Sequence, residues 1–88
     1  MKIEIYGTEA CSYCTKAKEL AMDAASNSTN VEVYYIDLMN DISLGELEER
    51  IGTVKTVPQI FIDDWHVGGY KEFQTAINTA LIKAGGLL

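Results

Sequence analysis

Apolar and charged side chains alternate at the start of the chain. "KIEIYG" puts Ile3 and Ile5 on one face, the period of a half-buried strand, and Gly7 ends it. From Cys11 to about Ser26 the period changes. Cys14, Ala17, Leu20, Ala21 and Ala24 recur at spacings of three and four, with Lys16, Lys18, Glu19 and Asp23 mostly on the other side, which predicts an amphipathic helix. "SNSTN" stops it, because short polar side chains compete for backbone hydrogen bonds. "VEVYYID", rich in β-branched and aromatic residues, reads as a second strand. "SLGE" has the Ser-x-x-Glu form of a capping box and sets a new helix start at Ser43, whose hydroxyl would accept from the Glu46 N–H while Glu46 reaches back. Leu44, Leu47 and Ile51 line the inner face of that helix, and Gly52 is placed to end it. "PQIFID" and "HVGG" flank a tight polar turn and predict a hairpin. Phe73, Ala76, Ile77, Ala80 and Leu81 fit one buried stripe of a last helix, and the "AGGLL" tail is either a frayed end or a short cap over the sheet.

The predicted order is β-α-β-α-β-β-α. The first β-α-β is expected to be parallel with a right-handed crossover and the last two strands antiparallel. An α/β fold follows, a small mixed sheet with helices on both faces. At 88 residues the chain is expected to form one domain, residues 1–88, with a single core and little stability to spare. No apolar run approaches the ~20 residues that span a bilayer, and the alternating N-terminus is unlike the apolar core of a signal peptide. The expectation is a cytoplasmic protein with no membrane partner.

Thirteen acidic against seven basic residues give a net charge of −6, which argues against a nucleic-acid ligand, since that affinity rests on Lys and Arg neutralising phosphates. The acidity reads as a solvated surface or as steering toward basic partners, and charge alone does not choose between them.

The chemistry rests on "TEACSYCTKAK", which holds the chain's two cysteines, Cys11 and Cys14. Cys11 follows the first strand and its loop, where the helix begins. A helix N-terminus offers unpaired N–H groups and about half a positive charge, which favour thiolate over thiol. A cysteine there can have its pKa lowered from ~8.5 into the range ~3.5–7.5, and the thiolate is the nucleophile. Cys14, one turn later on the apolar side, is expected to be shielded, more protonated and in reach of whatever is bonded to Cys11. Two other readings exist. A static disulfide across one helical turn closes a tiny loop and stabilises little. Zinc usually needs four ligands, and beyond the cysteines only His66 is an obvious candidate. The placement favours the redox pair.

Four features in order, "CSYC" at 11–14, "TVP" at 56–58 with "QIFID" behind it, "HVGGY" at 66–70 and the acidic Glu72, make the chain resemble the glutaredoxins, specifically the small dithiol glutaredoxins of bacteria and their phages. The similarity runs over nearly the whole chain and implies a thioredoxin-like fold with a four-stranded mixed sheet. It implies a glutathione-dependent thiol–disulfide oxidoreductase with Cys11 and Cys14 catalytic and a potential of about −200 to −230 mV. In the family the bond before Pro58 is cis and turns the backbone of Val57 toward the cysteines, where its N–H and C=O pair with the backbone of glutathione as an added strand would. Gly68 and Gly69 permit positive φ and let the start of the last helix receive the γ-glutamyl carboxylate. Tyr13 covers the sulfur. Thr56, Val57, Pro58, Gly69, Tyr70, Lys71 and Glu72 complete the glutathione site, with Thr8 beside it.

Three departures stand out. Thr8 occupies a position that is often Arg or Lys in relatives and offers only a hydroxyl. Lys71 and Glu72 stand where Thr or Asp is frequent; Lys71 restores a cation at the far end, and Glu72 is suited to accept from the glutamyl ammonium. Ser12 replaces the commoner proline of CPYC, freeing a backbone N–H at the helix start. The resemblance further suggests a monomer that donates electrons to protein disulfides such as that of ribonucleotide reductase. Two alternatives remain: a [2Fe–2S] cluster bridged between two subunits by the first cysteine and glutathione, as non-proline motifs permit, and a glutaredoxin-like reductant fed by thioredoxin reductase. Trp65 and His66 are either an exposed hairpin turn or a contact to a client.

Overall fold

The computed structural model describes residues 1–83, with side chains as far as residue 79. Strands β1 (Lys2–Gly7), β2 (Glu32–Asp37), β3 (Gln59–Ile62) and β4 (Trp65–Gly68) alternate with helices α1 (Ser12–Ser26), α2 (Asp41–Ile51) and α3 (Tyr70–Lys83) in the predicted order. The strands form one sheet in the order β2-β1-β3-β4. β1 runs parallel to β2 from Lys2 opposite Glu32 to Gly7 opposite Asp37, and antiparallel to β3, while β3 and β4 form an antiparallel hairpin. The Asp63–Asp64 turn has positive φ at both residues, 49° and 70°, as a two-residue hairpin loop needs. Asp63 ties the turn to β1: its Oδ1 accepts from the Lys2 N–H at 2.7 Å, and its own N–H donates to the Lys2 carbonyl at 2.8 Å.

Side-chain alternation sends the strands' apolar residues to two cores. On one face Ile3, Ile5 and Ile60 meet Ala17 and Ala21 of α1 and Phe73 and Ile77 of α3, all buried. On the other, Tyr6 and Phe61 meet Leu47 of α2. The stripe on the last helix thus holds at Phe73 and Ile77, with Ala76 half-buried; the Ala80 and Leu81 side chains and the "AGGLL" tail lie outside the described residues. Alanines at 17 and 21 let α1 lie close to the sheet.

The expected capping box at Ser43 is not the start of α2. The cap lies three residues earlier, at Asn40, and the helix runs from Asp41, because the Asn40 side-chain oxygen accepts from the backbone N–H groups of Ile42 at 2.8 Å and Ser43 at 3.4 Å. An Asn serves this role as well as a Ser does, and Ser43 falls inside the first turn.

Helix α2 is joined to β1 and to the hairpin by Arg50. Its guanidinium donates to both carboxylate oxygens of Glu4, at 3.2 and 3.3 Å, and to the Tyr6 hydroxyl at 3.0 Å. It lies 3.6 Å from the centroid of the Phe61 ring and 3.6 Å from Asp64 Oδ1. A fork that stacks on an aromatic ring while holding a carboxylate bidentately is worth more than a lone surface ion pair. Arg50→Ala is therefore expected to lower stability by about 1–2 kcal/mol, and Arg50→Lys to recover only part of that, both read by chemical denaturation.

Candidate active site

The topology brings three segments to one end of the sheet: the loop leaving β1, the segment entering β3, and the junction from β4 to α3. Cys11 is the N-cap of α1, in extended backbone conformation, with its Sγ accepting from the Cys14 N–H at 3.1 Å. A sulfur in that position sits against the positive end of the helix and takes one of the N–H groups that open it. Cys14 is completely buried and Cys11 half-buried. The two form a disulfide across 5.2 Å between Cα atoms. The depth difference expected from the sequence is present.

What buries Cys14 was not evident from the spacing. Gly7 ends β1 directly beneath it: a Cβ there would fall 2.7 Å from Cys14 Sγ and 2.8 Å from the Tyr35 hydroxyl. Tyr35, on β2, donates that hydroxyl to the Thr8 carbonyl at 3.0 Å and so holds the loop that leads to Cys11. Burial, with Asp37 and Glu9 adding to it, pushes the Tyr35 phenol up from its ordinary value. Neither Gly7 nor Tyr35 carries a motif signal; the only hint was a glycine at the strand end.

Beside Cys11 lies an open groove of about 270 Å³ lined by Tyr13, Thr56, Val57, Pro58, Gly69, Tyr70, Lys71 and Glu72. These are the residues the sequence singled out for glutathione, with one exception. Thr8 is not in the lining; its role here is the carbonyl that accepts from Tyr35. The Val57–Pro58 bond is cis, and the Val57 carbonyl oxygen lies 3.8 Å from Cys11 Sγ. Val57 precedes the β3 ladder, which begins at Gln59. Tyr13 is half-exposed, its ring centroid 5.9 Å from that of Tyr70.

Of the two glycines, Gly68 has the left-handed backbone, φ 119°, while Gly69 does not. Gly69 caps α3: its carbonyl accepts from the Phe73 N–H at 3.0 Å and its N–H donates to Glu72 Oε1 at 2.8 Å. Glu72 is thus the reciprocal half of a helix cap, which leaves its second oxygen for a ligand. His66, the third candidate in the zinc reading, sits in β4 on Gln59 rather than near the cysteines. Among the described residues no group of three or more His, Cys, Asp or Glu side chains is gathered for a metal.

A half-exposed sulfur on a helix N-terminus, with a buried partner one turn below, is an arrangement that opens and closes disulfides. The comparisons agree with that chemistry. The family model for glutaredoxin matches residues 3–67. The chain is 37% identical over 75 residues to glutaredoxin 1 of Escherichia coli K12, covering 83% of this chain and 88% of that one. It is 40% identical over 76 residues to the glutaredoxin of Vibrio cholerae O1, covering 84% and 87%. The solution structure of reduced Escherichia coli glutaredoxin superimposes with a TM-score of 0.80 at 34% identity, covering 92% of this chain and 98% of that one. The chain belongs to the glutaredoxin family, and its fold is thioredoxin-like.

Two outcomes check this packing. Gly7→Ala is expected to cost about 1–3 kcal/mol in denaturant unfolding, since the added methyl must displace the buried sulfur or the phenol. For Tyr35 the sign follows from its raised value. An unfolded phenol ionises first, near pH ~10, so stability is full below that and falls as pH rises through the folded value. Tyr35→Phe is expected to flatten the alkaline fall in stability, as seen by comparing unfolding midpoints of the two proteins between neutral and alkaline pH.

Proposed function

We propose that the protein is a glutathione-dependent reductase of protein disulfides and of glutathione mixed disulfides. The observation that carries this reading is the groove, which opens beside Cys11 and is walled by the backbone of Val57 on one side and the first turn of α3 on the other. Glutathione is an extended tripeptide with a carboxylate at each end. Its cysteine backbone pairs with the Val57 N–H and C=O. Its γ-glutamyl carboxylate lies against Lys71 and the unpaired N–H groups that open α3, and its ammonium faces the free oxygen of Glu72. Tyr13 and Tyr70 cover the sulfur and the peptide, and Thr56 and Pro58 form the floor.

In the reduced enzyme the Cys11 thiolate attacks the glutathionyl sulfur of a mixed disulfide. The old S–S bond breaks, the client leaves as a thiolate that takes up a proton, and Cys11 carries glutathione. A second glutathione thiolate attacks that adduct, leaves as glutathione disulfide and returns the Cys11 thiolate. With a protein disulfide, Cys11 first bonds the client and releases one of its sulfurs. Cys14, having lost its proton, then attacks Cys11, releases the client's other sulfur and closes the bond between the two cysteines. Two glutathione molecules reopen it and depart as glutathione disulfide. Protein clients such as ribonucleotide reductase fit the dithiol route, with the protein acting as a cytoplasmic monomer.

Cys11→Ser is expected to reduce both reactions to background. Cys14→Ser is expected to retain mixed-disulfide turnover and lose most protein-disulfide reduction. The assay couples turnover to glutathione and its reductase, with thioredoxin reductase as the rival electron source. Equal loss in both variants, or turnover driven by thioredoxin reductase alone, would contradict the reading.

A further inference from the structure

The segment Thr56–Val57–Pro58 lies outside the sheet ladder, yet its backbone must be aimed if it is to pair with a ligand. Gln59, the first residue of β3, supplies the restraint. Its Nε2 donates to the Thr56 carbonyl at 2.9 Å and to Thr56 Oγ1 at 3.2 Å, while its Oε1 meets His66 Nε2 at 2.8 Å. The chemistry of the partners fixes every orientation in this chain. A carbonyl only accepts, so the amide nitrogen must face Thr56; the amide oxygen then faces His66, whose Nε2 must carry a proton. That donation is made equally by the neutral Nε2–H tautomer and by the imidazolium. His66 is in turn placed by the core, its ring tilted on Phe61 with centroids 5.0 Å apart. Phe61 is buried and lies under Arg50.

We propose that Gln59, anchored by His66, is the positioning residue of the groove: it closes a ring from Thr56 to itself around Val57 and Pro58 and thereby presets the Val57 backbone for an extended thiol peptide. The proposal rests on the glutathione reading above. Gln59 acts through Thr56 and Val57 rather than by contact with substrate, and it is absent from the groove lining. Because the Thr56 hydroxyl accepts from Gln59, its own proton remains for an acceptor in the groove. Ordering this segment before the ligand arrives removes a cost that binding would otherwise carry. A loss of the clamp is therefore felt in affinity, not in the sulfur chemistry.

The test is the KM for a small glutathione mixed disulfide in the coupled assay. Gln59→Glu keeps the size and the bond to His66 but loses both donations to Thr56. Gln59→Met removes the amide without adding charge. Each is expected to raise KM about three- to tenfold, the worth of one or two modest hydrogen bonds, with kcat held within about twofold. His66→Ala is expected to raise KM by less, and to add nothing in the double variant with Gln59→Met, because His66 works only through the amide. Unchanged KM in Gln59→Met, a loss confined to kcat, or additivity with His66→Ala overturns the clamp. The two readings fail differently. A wild-type enzyme that does not saturate with the mixed disulfide removes the glutathione reading and the clamp together. A saturating wild type with an indifferent Gln59→Met removes the clamp alone.

Discussion

The end of β1 and the first turn of α1 approach so closely that no side chain fits between them. A Cβ on Gly7 would stand 2.7 Å from Cys14 Sγ. This contact decides how deep each sulfur lies. A helix turns about once in 3.6 residues, so Cys14 falls on nearly the same side of α1 as its N-cap but one turn further in. With α1 pressed onto the sheet at Ala17 and Ala21, the inner sulfur is sealed and the outer one is left at the rim. Unequal depth gives the two sulfurs unequal access: one is open at the rim, the other meets only its partner.

Strand directions then decide what else reaches the rim. β3 runs antiparallel to β1, and β4 antiparallel to β3. The end of β1, the entry to β3 and the exit from β4 therefore share one end of the sheet, although they are far apart in sequence. Cys11, Val57 and Gly69 are brought together by topology, and none of the three needs a long loop. The opposite face, with Tyr6, Phe61, Leu47 and Arg50, holds the plate rigid and supports His66 and Gln59 from below. A groove made of backbone edges is only as well aimed as this support.

Most of the fold was legible because periodicity and turn residues agreed along the chain. Ile3 and Ile5, the α1 stripe, and Phe73 with Ile77 each pointed to a face, and each face is buried. The start of α2 was misplaced because two capping residues compete there and local pattern does not say which side chain wins; Asn40 does. At the groove, the placement of residues in contiguous motifs was legible, since Cys11, Val57 and Gly69 reach one rim from fixed local geometries. Residues that act across strands were not. Gly7, Tyr35 and the Gln59–His66 pair matter through contacts at separations that no short motif encodes. Thr8 shows the converse: the sequence draws attention to its side chain, and the contact seen in the structure is made by its carbonyl.

The acidity of the chain also takes its meaning from placement. Two of the acids are paired away from the groove: Glu4 and Asp64 share Arg50 and Lys2 on the side of the sheet that α2 covers. The groove itself is lined by one cation, Lys71, and one carboxylate, Glu72, and half of that carboxylate is turned inward to cap α3. A ligand with a carboxylate at each end finds little net charge there to attract it. For the proposed glutathione, contacts to Lys71 and to the free oxygen of Glu72 therefore need support from neutral donors and acceptors at fixed positions, the Val57 peptide group and the opening N–H groups of α3. Such bonds depend steeply on distance and angle. On the reading proposed above, shape is the quantity this site has to control, and the chain of contacts from Phe61 through His66 and Gln59 to Thr56 is the part of the structure placed to control it.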